Sequence, residues 1–198
     1  MTNAPVGLLL AAGLGARFDP SGKRLKLLQP VARGPYAGRP LAWAAAQPLL
    51  ASLSSVVAVV RPADHPHQRE LHSLLVDAGC QLVVCASAAD GMGASIACGV
   101  KATPQASAWV IALADMPDIA FSTVAAVVDA LGAGHDCAAP YYDGQRGHPV
   151  GFSKACRAEL LALTGDAGAR SVYERHPPCR VEVDDPGIAF DVDTPEAR

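Results

Sequence analysis

The sequence predicts an α/β protein, a mostly parallel sheet with helices on both faces, and three observations carry that prediction. Apolar runs of strand length alternate with segments of helical length along the chain. Hydrophobic residues make up 51% and charged residues 18% of 198 residues, enough to bury a substantial core and too apolar for disorder. No internal repeat and no second hydrophobic unit is evident, so residues 1–198 read as one domain. In order, the first strand is expected near 6–11, Val-Gly-Leu-Leu-Leu-Ala. Residues 29–40 carry too many prolines and glycines for a helix and form a loop ahead of a helix over 40–52. Strands follow near 56–60, 82–85, 109–113 and 136–139, alternating with helices near 67–78, 93–102 and 121–132. Residues 140–152 read as a β-hairpin inserted late in the fold, with Asp143-Gly144 at its turn, before helices near 154–163 and 168–175.

Charge and composition exclude several classes of function. A formal net charge of −3 argues against a broad nucleic-acid-binding surface, so phosphate recognition has to come from a few placed cations. No stretch reaches the roughly 18 apolar residues of a membrane span. The first apolar run has no basic region ahead of it and reads as a strand rather than a secretory signal. Six cysteines (80, 85, 98, 137, 156 and 179) show no Cys-x-x-Cys spacing, which points to reduced, buried thiols in a cytoplasmic protein rather than a zinc site.

Residues 6–18 run from an apolar strand into a glycine loop and then to Arg17, with Lys23 and Lys26 close behind. Small residues let backbone N–H groups approach phosphate oxygens, and the cations neutralise their charge, an order of parts that suits a nucleoside triphosphate. Neither common phosphate fingerprint fits. A dinucleotide motif needs a small residue three places after Gly15, where Phe18 stands. A P-loop needs four residues between its glycines and Ser or Thr after the lysine. Here six residues separate Gly15 from Gly22, and Arg24 follows Lys23. A second signal is acidic: Asp115 stands just past the buried strand ending at Leu113, on the same sheet edge as the loop. Hard carboxylate oxygens there suit Mg²⁺, which binds through one or two carboxylates plus substrate phosphates. Further along, Asp191 and Asp193 share one face of an extended segment, although Asp-Thr-Pro-Glu over 193–196 is equally a helix-capping sequence.

Leu-x-Ala-Gly-x-Gly-x-Arg-Phe over 10–18 followed by Lys26-Leu27-Leu28, with Leu-x-Asp-Met-Pro over 113–117 and Asp-Val-Asp-Thr-Pro-Glu over 191–196, resembles the MobA/MocA-like nucleotidyltransferases. The resemblance implies a Rossmann-like three-layer sandwich of the nucleotide-diphospho-sugar transferase type. It also implies Mg²⁺-dependent transfer of NMP from an NTP to an acceptor phosphate, releasing pyrophosphate. It makes Asp115 the principal metal ligand, completed by Asp191 or Asp193. Arg17 and a lysine then take charge on the β- and γ-phosphates. Lys26 stands in the Lys-Leu-Leu-x-Pro match, with Lys23 in reserve because Asp19 replaces the usual glycine and the Arg-to-Lys gap is long.

Ala11-Ala12-Gly13 is the form of the cytidylyl, MocA-like branch, and a methyl at Ala12 narrows the base site toward a pyrimidine. Gly13, Gly15, Gly91 and Ser95, the last two in the Gly-Met-Gly-x-Ser segment, complete the implied nucleotide contacts. His148, in Gly-His-Pro-Val, and Gly168, in Gly-Asp-Ala-Gly, are implied on the acceptor side. The substrates implied are CTP and a molybdopterin-type cofactor, with a molybdenum hydroxylase or its maturation chaperone as a partner downstream. Other acceptors, such as a sugar or polyol phosphate, and a non-catalytic cofactor carrier are the alternatives.

Overall fold

The computed structural model describes residues 3–15, 18, 19, 21, 23–64, 67–166 and 168–192. One eight-stranded sheet organises them. β1 (Val6–Leu10), β2 (Val56–Val60), β3 (Gln81–Val84) and β4 (Ala108–Leu113) lie parallel in the order β3-β2-β1-β4. Each crossover between them is helical: α1 (Leu41–Ser52), α2 (Gln68–Ala78) and α3 (Met92–Ala102). Strand side chains point alternately to the two faces, which separates two apolar cores. Leu9, Ala58 and Val110 face α1, α2 and α4 (Phe121–Gly132). Leu8, Val57, Trp109 and Ile111 face α3, α5 (Arg157–Leu161) and α6 (Arg170–Arg175). The three-layer α/β sandwich expected from the sequence is therefore the observed architecture.

The far half of the sheet contains the hairpin read over 140–152, and its return arm is built into the main sheet. β5 (Cys137–Tyr142) turns at Asp143 and Gly144, both at positive φ, into β6 (Gln145–Arg146), as a two-residue turn requires. The return arm then breaks at Gly147–Pro149 and re-enters the main sheet as β7 (Val150–Ser153). β7 pairs antiparallel with both β4 and β5, so it is an internal strand of the sheet and not an appendage. Gly151 makes this possible, since a Cβ there would stand 2.7 Å from Leu131 Cδ1 and 2.8 Å from Val127 Cγ1 on α4. β8 (Cys179–Glu182), parallel to β5, was not expected: Cys-Arg-Val-Glu alternates polar and apolar over only four residues. The helix anticipated over 154–163 is a 3₁₀ turn, Lys154–Cys156, leading into the five residues of α5. No helix among the described residues is long and apolar enough to cross a membrane.

Candidate active site

A cavity of about 310 Å³ opens beyond the C-terminal ends of β1, β2 and β4, under the loop that follows β1 and beside the start of α3. Its centre is an ion pair. Lys26 opens a 3₁₀ turn (Lys26–Leu28) and sends Nζ to Asp115 Oδ2 at 2.6 Å, with the lysine side chain 9% and the aspartate 23% exposed. Gly15 roofs the lysine: its φ is +65°, and a Cβ on it would stand 2.8 Å from Lys26 Cβ. The long gap between the glycine loop and this lysine is organised by Asp19. Its carboxylate accepts from Ser21 N at 3.0 Å, Ser21 Oγ and Arg24 N at 2.9 Å. The Ser21 hydroxyl is the main reason its carboxyl sits below the usual aspartate range. Asp19 thus gathers Ser21 and Arg24 about its carboxylate, and Lys26 still lies beneath Gly15. Lys23 is on the exposed outer surface, where its carbonyl accepts from His67 Nε2 at 3.0 Å, and it does not line the cavity.

The remaining nucleotide-side residues separate into wall and support. Ala11 is wholly buried in the α1-side core, and its N–H continues the ladder to Val59 O at 2.9 Å, so its side chain does not reach the cavity. Ala12 lines the cavity but packs its methyl among Val59, Cys85 and Ala88. Gly13 and Ser95 are on the wall. Gly91 is on the wall as well, at φ +113°, where a Cβ would come within 2.4 Å of Asp166 Oδ1 and of the Gly165 carbonyl carbon. Its lack of a side chain seats the 164–166 loop on the start of α3, where Gly93 N donates to Gly165 O at 2.8 Å.

The C-terminal segment closes the other side of Asp115. Val192 N donates to Asp115 O at 3.1 Å, which lays exposed Asp191 alongside. Asp185 anchors this segment. Its carboxylate is buried and accepts from Ala120 N at 2.8 Å, Thr123 Oγ1 at 2.6 Å and Gly187 N at 3.0 Å. Arg17 and Asp193 lie outside the described residues. Among those described, no group of three or more His, Cys, Asp or Glu side chains could hold a metal ion unaided. Asp115 and Asp191 offer only oxygen donors, and a divalent cation that fills its sphere with substrate phosphates fits such a pair.

Met92 separates this cavity from a second one of about 630 Å³, which contains Arg146, His148, Gly168, Arg170 and Tyr173. Arg146 places its guanidinium 4.3 Å over the Tyr173 ring, which itself stacks on Phe152 at 5.4 Å. His148 is held by its backbone N–H to Ile188 O at 2.9 Å. Burial lowers its pKa below the usual histidine value, outweighing the Ile111 backbone bond that raises it. The ring is therefore neutral near pH 7, and Nδ1 has no partner among the described residues.

Residues 7–180 match the model of the MobA-like NTP transferase domain. The chain belongs to that family. The chain is 30% identical to nicotine blue oxidoreductase of Paenarthrobacter nicotinovorans, over 96% of this chain and 92% of that protein. It is 29% identical to the purine catabolism protein PucB of Bacillus subtilis, with the same coverage. Among solved structures, Rv0371c of Mycobacterium tuberculosis aligns with all of this chain and 96% of its own at TM-score 0.77 and 26% identity. A nucleotidyl transferase of Methanothermobacter thermautotroptrophicus covers 99% of this chain and 94% of its own at TM-score 0.78 and 17% identity, a likeness of fold. The MobA-like chain thus has the nucleotide-diphospho-sugar transferase fold, with helices on both faces of a sheet whose antiparallel members are β6 and β7.

Sequence reasoning brought Lys26, Asp115, Gly13, Gly15, Gly91, Ser95 and Asp191 to this transferase's first cavity or its border, and His148 and Gly168 to the second. It missed Arg61, Asp166 and Asp185. Arg61 had a signal, because it follows a buried strand directly, as Asp115 nearly does, at the sheet edge where ligands bind. Asp185 had none, since its partners Ala120 and Thr123 lie more than 60 residues away.

Proposed function

We propose that this MobA-like transferase is a Mg²⁺-dependent cytidylyltransferase that moves CMP from CTP to the terminal phosphate of a molybdopterin-type cofactor, releasing pyrophosphate. The observation that carries the reading is the Lys26–Asp115 pair at 2.6 Å, a buried cation and a carboxylate in the first cavity, with a second cavity alongside. In this reading an oxygen of the acceptor phosphate attacks the α-phosphorus in line, the bond to the β-phosphate oxygen breaks, and pyrophosphate carries away the electron pair. The nucleophile is already anionic, so the protein supplies position and charge rather than a strong base. Lys26 donates to phosphate oxygens as charge grows on the leaving group, with Arg17 assigned the same task by the family motif. Asp115 and Asp191 would hold Mg²⁺, which would supply positive charge to offset that of the triphosphate. Neutral His148 and the cations Arg146 and Arg170 receive the acceptor. The same reading puts the protein in the cytoplasm, serving a molybdenum hydroxylase or its maturation chaperone.

The decisive experiment offers all four NTPs with Mg²⁺ and molybdopterin and measures pyrophosphate. Release with CTP supports the reading, and release with GTP alone overturns the base assignment. Arms with sugar and polyol phosphates test the acceptor, because Arg146 and Arg170 suit any phosphate monoester. A further arm follows NADH and NADPH oxidation, since one relative carries an oxidoreductase name. Hydride transfer without pyrophosphate release sinks the transferase reading.

A further inference from the structure

We propose that Arg61 reads the nucleobase, an inference that rests on the nucleotidyl-transfer reading of the first cavity. Arg61 follows β2 directly and lines that cavity at the end opposite Asp115. The strand order β2-β1-β4 sets the separation: neighbouring strands lie about 4.8 Å apart, so the ends of β2 and β4 are on the order of 10 Å apart. With the triphosphate at Lys26, at the Asp115 end of the cavity, the ribose lies across the loop after β1. The base then falls between Ala12, Ala88 and Arg61, and all three line the cavity.

The guanidinium is fixed before any ligand arrives. Nε donates to Ala12 O at 2.6 Å and Nη2 to Ala88 O at 3.3 Å, which uses the side edge of the planar fork. Nη1 has no partner among the described residues, and Arg61 makes no ion pair among them. The end edge, Nη1 with the second hydrogen of Nη2, therefore keeps two parallel donors. Cytosine presents two adjacent acceptors, O2 and N3, to such a fork. Uracil carries a hydrogen on N3, which meets the fork donor to donor, and the adenine pairing edge offers one acceptor beside a donor. Guanine presents O6 and N7 on its other side, a pair that arginine also reads, so ring size has to reject it. The Ala12 and Ala88 walls supply that limit, and Arg61 holds both of their carbonyls. One residue thus sets hydrogen-bond polarity and braces the walls that set size.

The test measures equilibrium binding of CMP, UMP and GMP by titration calorimetry. It also measures kcat/KM for CTP and UTP, for the wild-type protein, Arg61→Lys and Arg61→Met, with melting curves to confirm that each is folded. A bidentate pair discriminates by roughly 10–100-fold, and a lysine keeps the charge but loses the fork. The wild type is expected to prefer CMP over UMP, and Arg61→Lys to lose that preference by about 10–100-fold while the melting temperature stays close to wild type. If Arg61→Met does not fold, Arg61→Lys carries the test alone. An unchanged CMP-to-UMP ratio in a folded Arg61→Lys overturns the role of Arg61 and leaves nucleotidyl transfer standing. A wild type that binds no nucleotide overturns nucleotidyl transfer itself.

Discussion

Lys26 and Asp115 are mutually dependent, since the lysine is nearly buried and its charge needs a partner. Replacing Asp115 by alanine also removes the acceptor of a Lys26 Nζ hydrogen bond, so Asp115→Asn is the cleaner variant. It keeps the shape and an oxygen acceptor for Nζ while removing the negative charge. Pyrophosphate release by Asp115→Asn is expected to fall by about 10²–10³-fold, the range seen when one electrostatic group is lost from a reacting centre. A melting temperature near wild type checks that the loss is chemical. Gly15 allows a second prediction. Alanine there has to adopt φ +65° and press a methyl to 2.8 Å from Lys26 Cβ. The cost is roughly 1–3 kcal/mol from the backbone alone. Gly15→Ala is expected to melt lower and to raise the KM for the NTP, measured together, because the displaced atom belongs to Lys26.

At the scale of elements, the segment from Asp185 to Val192, which carries Asp191, is tied to the backbone of Asp115. Asp185 accepts from the N–H of Ala120 and the hydroxyl of Thr123 at the start of α4, and from Gly187 N in the 3₁₀ turn (Pro186–Ala189) that follows it. That turn gives Ile188 O to His148 N, and Val192 N then reaches Asp115 O. A buried carboxylate at a helix start both satisfies orphan donors and favours the helix dipole. Asp185→Ala leaves three donors without an acceptor and is expected to cost roughly 2–4 kcal/mol in urea unfolding. Asp185→Asn, which keeps one acceptor oxygen, is expected to lose less. Equal losses in the two variants count against this account.

Across the whole molecule, six free cysteines are distributed through both cores and their borders. Burial pushes the thiols of Cys80, Cys98 and Cys156 up to about 11 and that of Cys137 to about 12. An unfolded thiol ionises near pH 8.5. Below that value both states hold the proton and the thiols contribute nothing to the pH dependence. Above it the unfolded chain loses protons that the folded one keeps, so stability falls from about pH 8.5 until the folded thiols titrate near 11. Urea midpoints at pH 8 and pH 10 measure the drop, and Cys137→Ala is expected to reduce the difference between them. An identical difference in that variant shows that other groups set the alkaline limit.

Local chemistry written in adjacent residues was legible in the sequence. The parallel β1–β4 half with its crossovers followed from apolar runs and their spacing, because a buried strand and an amphipathic helix each announce themselves within about ten residues. The glycine loop and Asp115 were legible because strand ends in such sheets converge on one edge, and the Asp191 segment through the family motif that it resembles. Tertiary structure alone decided the insertion of β7 between β4 and β5, where a missing Cβ at Gly151 lets α4 approach. It also separated the two lysines in space, with Lys26 in the first cavity beneath Gly15 and Lys23 exposed outside it. The same is true of Arg61 and Asp185, whose side-chain partners, Gly187 aside, are 27 to 65 residues away. Sequence periodicity reports which face of an element is buried. It carries no information about which distant backbone groups meet there.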